Sequence, residues 1–197
     1  SDPGISAEFN GGTHMSMEDI GVLRSIPELV IYEPVDVAQF KQALPQIVAY
    51  EGPVYIRMFR KTIDDVFTDA NYKFDLFGAD CIQEGTAVTI FCSGIMVQET
   101  MKANEILKQE GIDAEIINIH TIKPIDRDAV VASAKKTGAV VVAENHNVIG
   151  GLTSAVCEVL MEEYPVPLRA VGVKDRFGQV GKMPFLKEEY HMTAKDI

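Results

Sequence analysis

With 197 residues, 47 % of them hydrophobic, no tryptophan and a formal net charge of -11, the chain can bury a sizeable core, and its charge opposes nucleic acid and anionic membrane surfaces alike. No apolar run approaches the roughly 20 residues that span a bilayer, and the first residues lack the basic and apolar blocks of a signal peptide, so a cytoplasmic protein is expected. Cys81, Cys92 and Cys157 are odd in number and show no C-x-x-C spacing, which argues for reduced cysteines rather than a disulfide framework or a zinc site.

The segment Ser1–Asn10 has no room for a full strand and helix before the glycine turn at Gly11-Gly12. Ser16 followed by Asp19 reads as a capping box, predicting a helix through Ile20, Val22 and Leu23 to Pro27 with His14 just outside its N-terminus. There an imidazole on a loop can face a cleft, although by local spacing alone a solvated or turn-stabilising histidine is the commoner case. Leu29-Val30-Ile31-Tyr32 reads as a buried strand. Asp36 then caps a helix with Val37, Phe40, Leu44, Ile47 and Val48 at helical spacing and Pro45 inside it. Val54 to Phe59 is the next strand, with Arg60 at its carboxyl end, the edge where open α/β sheets bind ligands. Two strands and two helices cannot cover a sheet on both faces, so residues 1–60 read as the second half of a domain whose first half is absent.

Residues 61–85 are acidic and irregular and read as a linker with room for a short hairpin. From residue 86 to 197 the pattern is regular. Strands at Ala87–Cys92, Glu115–Ile119, Ala139–Ala143 and Leu168–Val173 alternate with helices that begin after Ser93-Gly94, at Asp126 and after Gly150-Gly151. Gly111 and Gly138 stop two of the helices, and Lys135-Lys136 occupy a last turn where cations complement the dipole. A mostly parallel sheet with helices on both faces follows.

Glu144-Asn145-His146 ahead of Gly150-Gly151-Leu152 marks a strand's carboxyl end running into a helix N-terminus. It suits an anion or a partner subunit, and equally well glycines that allow close helix–sheet packing. Phosphate-loop, dinucleotide, hydrolase-elbow and zincin motifs are all missing, and His120 and His191 read as structural. His14 and Arg60 are the sharp candidates, placed so that a small anionic substrate could lie between them.

These motifs, in this order, resemble the C-terminal part of transketolases. Gly12-Thr13-His14, the Glu18-Asp19 helix, Arg24, Ile26-Pro27, Glu33-Pro34-Val35-Asp36, Arg57 with Arg60, Lys123-Pro124-Ile125-Asp126, and Glu144-Asn145-His146 with Gly150-Gly151-Leu152 carry the likeness across nearly the whole chain. It implies an α/β fold: a partial pyrimidine-type domain at 1–60, a linker at 61–85, and a three-layer α/β/α transketolase C-terminal-like domain at 86–197. It also implies a cytoplasmic enzyme of pentose phosphate metabolism that moves a two-carbon ketol unit between sugar phosphates with thiamine diphosphate and Mg. The cofactor-activating glutamate would lie upstream, and the diphosphate and metal ligands in another domain or N-terminal subunit. This chain alone would then hold no cofactor and no metal, would be inactive alone, and would function in a homodimer.

By the same resemblance, His14 is catalytic at the donor's carbonyl and hydroxyl oxygens, Asn10 reads a substrate hydroxyl and Arg60 clamps a phosphate. The sequence departs from the family pattern in three places. Asn10 stands where an aspartate is usual, Asp2 where a phosphate-contacting histidine lies twelve residues before His14, and Met15 where glutamine often follows it. A carboxylate at position 2 is expected to repel a phosphate and shift substrate choice. Deoxyxylulose-phosphate synthases and the β subunits of 2-oxoacid dehydrogenases share the pieces. A rival of a different class is a non-catalytic module, from about Thr86 onward, that only pairs subunits.

Overall fold

The computed structural model describes residues 2–61 and 63–197; Ser1 and Thr62, which fall in the predicted N-terminal segment and linker, lie outside the described residues. Two short strands, β1 (Asp2–Pro3) and β2 (Met15–Ser16), pair in parallel and bracket two 3-10 turns at Gly4–Ser6 and Gly12–His14. Helix α1 covers Asp19–Leu23, β3 Val30–Tyr32, α2 Val37–Ala49 and β4 Val54–Ile56. They are followed by β5 (Asp80–Gln83), β6 (Val88–Cys92), α3 (Met96–Gln109), β7 (Ala114–Asn118), β8 (Thr121–Lys123) and α4 (Arg127–Thr137). The chain closes with β9 (Val140–Asn147), α5 (Leu152–Glu163), β10 (Leu168–Val173) and α6 (Met183–Glu189).

The main sheet runs β10-β9-β6-β7-β5, parallel except for the antiparallel edge strand β5. Side chains alternate across it as a two-residue period requires. Cys92, Ile116 and Ala143 face one core with Met96 and Val97 of α3, Ile5 and Leu186. Their neighbours Phe91, Ile117 and Val142 face the other core, with Val130 and Ala134 of α4 and Val156 and Leu160 of α5. A second sheet, β4-β3-β8, is parallel between β3 and β4 and antiparallel between β3 and β8. The stretch read as a linker thus supplies β5 to the main sheet, paired with β7 rather than folded into a hairpin, and β8 crosses over to join the sheet of residues 30–56.

Several local signals hold. The Asp36 carboxylate accepts from the Gln39 amide at 2.7 Å as the cap of α2, and its second oxygen accepts from the Val66 and Phe67 amides at 2.7 and 2.8 Å. Asp126 accepts from the Ala129 amide at 3.0 Å, and Gly138 closes α4 with φ 72°.

The capping box at Ser16 does not form. Ser16 lies in β2, α1 begins after Glu18 with no side-chain cap, and it ends at Leu23 instead of reaching Pro27. The reason is long-range: the Asp19 carboxylate is drawn to Arg57 and Tyr55. The predicted strand at 54–59 stops at Ile56, and the strand beginning at Val140 continues through Glu144, Asn145 and His146 to Asn147.

Candidate active site

The loop carrying His14 is pinned by backbone. The Phe9 amide donates to the Gly181 carbonyl at 3.1 Å, the His14 amide donates to the Gly11 carbonyl at 3.0 Å, and the Met183 amide donates to the Glu8 carboxylate at 2.5 Å. At Gly12 a Cβ would stand 2.6 Å from the Gly178 carbonyl oxygen, so only glycine lets the two backbones pass. Held this way, Asn10, Thr13 and His14 all stay exposed, with the Thr13 hydroxyl 2.9 Å from His14 Nδ1. Phe9, Phe177, Val180 and Phe185, which flank the loop, are exposed as well, and Phe177 reaches 92 %.

Arg60 is exposed and lies just beyond β4, as its position in the sequence suggests, but it does not stand free. Its Nε donates to Asp2 Oδ1 at 2.7 Å and to Oδ2 at 2.9 Å, and its Nη2 donates to Oδ2 at 2.7 Å. Asp2 pairs in register with Met15, the residue after His14, which brings Arg60 to the edge that carries His14. The Asp2 carboxylate, expected to repel a phosphate with Arg60 offsetting part of that repulsion, is in direct contact with Arg60, and that contact raises the guanidinium pKa.

Beneath this edge lies a buried polar network to which spacing along the chain assigns no role. Arg57 is 1 % exposed and donates from Nε to Asp19 at 2.9 Å, from Nη1 to Glu33 at 2.5 Å, and from Nη2 to the Ser16 and Asn145 carbonyls at 2.8 and 2.9 Å. Glu33 also accepts from the Ser93 hydroxyl at 2.7 Å, and Tyr55 donates to Asp19 at 2.8 Å. Burial opposes the charge on Asp19, yet Arg57 and Tyr55 together hold its pKa below the ordinary value. Burial likewise opposes the charge on Arg57, but Glu33 and Asp19 outweigh it and raise its pKa.

The Glu144-Asn145-His146 stretch resolves residue by residue. The Glu144 carboxylate accepts from the Leu152 amide at 2.6 Å, the Thr153 amide at 3.0 Å and the Thr153 hydroxyl at 2.5 Å, so the anion at the N-terminus of α5 is an internal one. Desolvation nevertheless pushes its pKa up to about 7. Gly151 is required here, because a Cβ would stand 2.0 Å from the Glu144 carboxylate and 2.5 Å from His146 Nδ1. Asn145 accepts from the Ile5 amide and donates to the Pro3 carbonyl, both at 2.9 Å, tying the N-terminal segment to the main sheet. His146 Nδ1 lies 2.6 Å from the Asn147 carbonyl, which only accepts, so that nitrogen carries the proton and Nε2 accepts from the Gly21 amide at 3.4 Å. Burial first, and the nearby Arg57 charge second, lower the His146 pKa to about 4. Of the two readings left open for this stretch, the described contacts favour packing and positioning over an external ligand.

Among the described residues, one cluster could supply three metal ligands: Cys81, Glu84 and Glu115. It does not suit a diphosphate-bound divalent ion. Lys136 already pairs with Glu84 and with Glu115, the latter at 2.7 Å, and burial pushes the Cys81 thiol up to about 11. No helix among the described residues is long and apolar enough to cross a membrane.

Comparison with known proteins adds identity to this geometry. The sequence matches the family "Transketolase, C-terminal domain" over residues 78–197 and "Transketolase, pyrimidine binding domain" over residues 2–64. It is 55 % identical over 197 residues to the 6-deoxy-6-sulfo-D-fructose transketolase subunit SqwH of Clostridium sp. (strain MSTE9), covering 100 % of this chain and 61 % of that protein. Over 172 residues it is 36 % identical to a subunit of the apulose-4-phosphate transketolase of Phocaeicola vulgatus, covering 87 % of this chain and 55 % of the relative. A solved structure titled "Split gene transketolase, inactive beta4 tetramer" superposes with a TM-score of 0.87 at 40 % identity, covering 99 % of this chain and 61 % of that one. The chain therefore spans little more than half the length of these relatives.

Proposed function

This chain belongs to the transketolase family, and we propose that it is the donor-binding part of a ketol-transferring enzyme whose remaining part sits on a partner subunit or domain. The observation that carries this reading is the exposed His14 on a backbone-locked loop, beside the Asp2–Arg60 pair on the same edge. Pure subunit assembly needs no such pair. The exposed Phe9, Phe177 and Val180 around His14 supply a face on which a partner can close the site.

Thiamine diphosphate is the family's cofactor. The Cys81, Glu84 and Glu115 cluster does not suit its divalent ion, and the roles assigned here to this chain are substrate binding and proton transfer. His14 exchanges protons at the donor's carbonyl and hydroxyl oxygens, helped by the neighbouring Thr13 hydroxyl. Asn10 hydrogen-bonds a donor hydroxyl, and its amide can donate as well as accept where a carboxylate only accepts. Arg60 receives the donor's acidic end. The similarity to SqwH, together with Asn10, Asp2 and Met15 in place of the usual residues, favours a ketose with a terminal sulfonate over the common sugar phosphates.

The test is reconstitution. The chain alone should neither turn over ketoses nor bind thiamine diphosphate with micromolar affinity by calorimetry, and mixing it with the partner subunit should restore activity. In the mixture His14→Ala should lower turnover by ~10²–10⁴-fold. A drop of less than about threefold would leave His14 a merely structural residue.

A further inference from the structure

Arg60 offers its ligands two forks, one formed by Nε and Nη2 and the other by Nη1 and Nη2. The first is filled by Asp2, whose side chain is 6 % exposed, whereas that of Arg60 is 67 % exposed and its Nη1 makes no hydrogen bond among the described residues. The next cation, Lys61, is likewise paired, with Glu8. Arg60 with Asp2 and Lys61 with Glu8 form two neutral pairs at this edge, and Lys182 adds a further positive charge on the Glu8 side, away from Asp2's partner Arg60 in sequence.

We propose that Asp2 makes this edge select a donor whose terminal acid carries one negative charge over one that carries two; this rests on the reading that Arg60 meets the donor's acidic end. A monoanion accepts two hydrogen bonds from the free fork and meets a neutral pair. A second charge on the ligand finds the inner fork of Arg60 already filled and lies close to the Asp2 carboxylate, so the penalty grows with ligand charge. A sulfonate keeps one charge at any physiological pH. A phosphate monoester passes from one charge to two near pH 6, which makes pH a handle on the same discrimination.

The experiment uses the complete enzyme, assembled from this chain and its partner subunit. Initial rates are measured on two ketoses that differ only in a terminal sulfonate or phosphate, at about pH 5.5 and about pH 7.5, on either side of the second phosphate ionisation. The parent should prefer the sulfonate by about tenfold in kcat/KM at the higher pH, and the preference should shrink at the lower one. Asp2→Asn, which keeps the shape and removes the charge, should erase most of the preference at the higher pH through the phosphate's KM. If Asp2→Asn leaves the ratio within about threefold while Arg60→Ala raises KM for both donors, the selector role of Asp2 is wrong and Arg60 still binds the donor. Should Arg60→Ala leave both KM values unchanged, the reading of Arg60 falls as well. If Asp2→Asn does not fold by circular dichroism, the parent decides alone, and a ratio that does not move with pH overturns the proposal.

Discussion

Two polar regions lie almost back to back in this molecule, and physical chemistry treats them in opposite ways. The rim of Asn10, His14 and Arg60 is exposed; backbone contacts hold the loop of the first two, and the Asp2 carboxylate holds Arg60. Behind it Arg57, Asp19, Glu33, Glu144, Asn145 and His146 are almost wholly enclosed, and nearly every polar atom is matched. Asp19 Oδ1 is one buried oxygen without a hydrogen-bond partner, and His146 Nε2 stands 3.7 Å from it. The contrast separates two tasks. On the proposed reading the rim keeps side-chain valences open for a ligand, and the buried network fixes the backbone from which the rim projects.

That division can be broken experimentally, and the largest effect is expected at Arg57. Arg57→Ala leaves two buried carboxylates without their cation and should cost about 3–5 kcal/mol of unfolding free energy. Arg60→Ala removes an exposed guanidinium, paired with a single carboxylate, and should leave stability much closer to the parent. Urea unfolding of both variants checks the contrast, and equal losses would show that the rim is structural too.

A smaller effect belongs to Asn145, which bridges the main sheet to the Pro3 and Ile5 backbone. Asn145→Ala should cost about 1–3 kcal/mol for the buried amide and carbonyl left unpaired. If Asn145 acts through the rim, hydrogen exchange should quicken at residues 3–16 in this variant and stay unchanged in α4. Uniform acceleration would point to general loosening instead.

A further effect is one of pH, smallest over any single pH unit, and sits away from the rim. His120 is buried against Phe74, with ring centroids 4.6 Å apart, and burial lowers its pKa to about 4. The unfolded chain takes up that proton near pH 6.5 and the folded protein does not, so stability is intact above about 6.5 and falls as pH drops toward 4. The nearby Asp80, raised to about 6 chiefly by desolvation, works in the opposite sense and is common to parent and variant. Denaturation at two pH values inside that window should therefore give His120→Phe a shallower acid loss, by about 1.4 kcal/mol per pH unit. Parallel slopes would mean that His120 titrates normally.

Much of the fold was legible along the chain. The β-branched runs of β3, β6, β7, β9 and β10, the caps Asp36 and Asp126, and the stop at Gly138 are local signals, and each element formed where its own residues called for it. Elements whose partners lie far away were not legible. β5, β8 and α6 have no apolar period of their own, and each exists because a distant surface accepts it. Ser16 and Asp19 failed as a capping box for the same reason, since a buried guanidinium attracts a carboxylate more strongly than an exposed helix end does.

The candidate site divides in the same way. His14, Asn10 and Arg60 could be picked out from spacing and resemblance, because a glycine-rich turn and the end of a strand are local features. That Asp2 occupies one fork of Arg60, that Glu144 rather than a ligand fills the N-terminus of α5, and that Asn145 grips a backbone 140 residues away were decided only by the tertiary structure. Composition and period specify which face of an element avoids water. They carry no information about which buried charge meets which, because that pairing depends on the distances and desolvation that exist only once the chain has closed on itself.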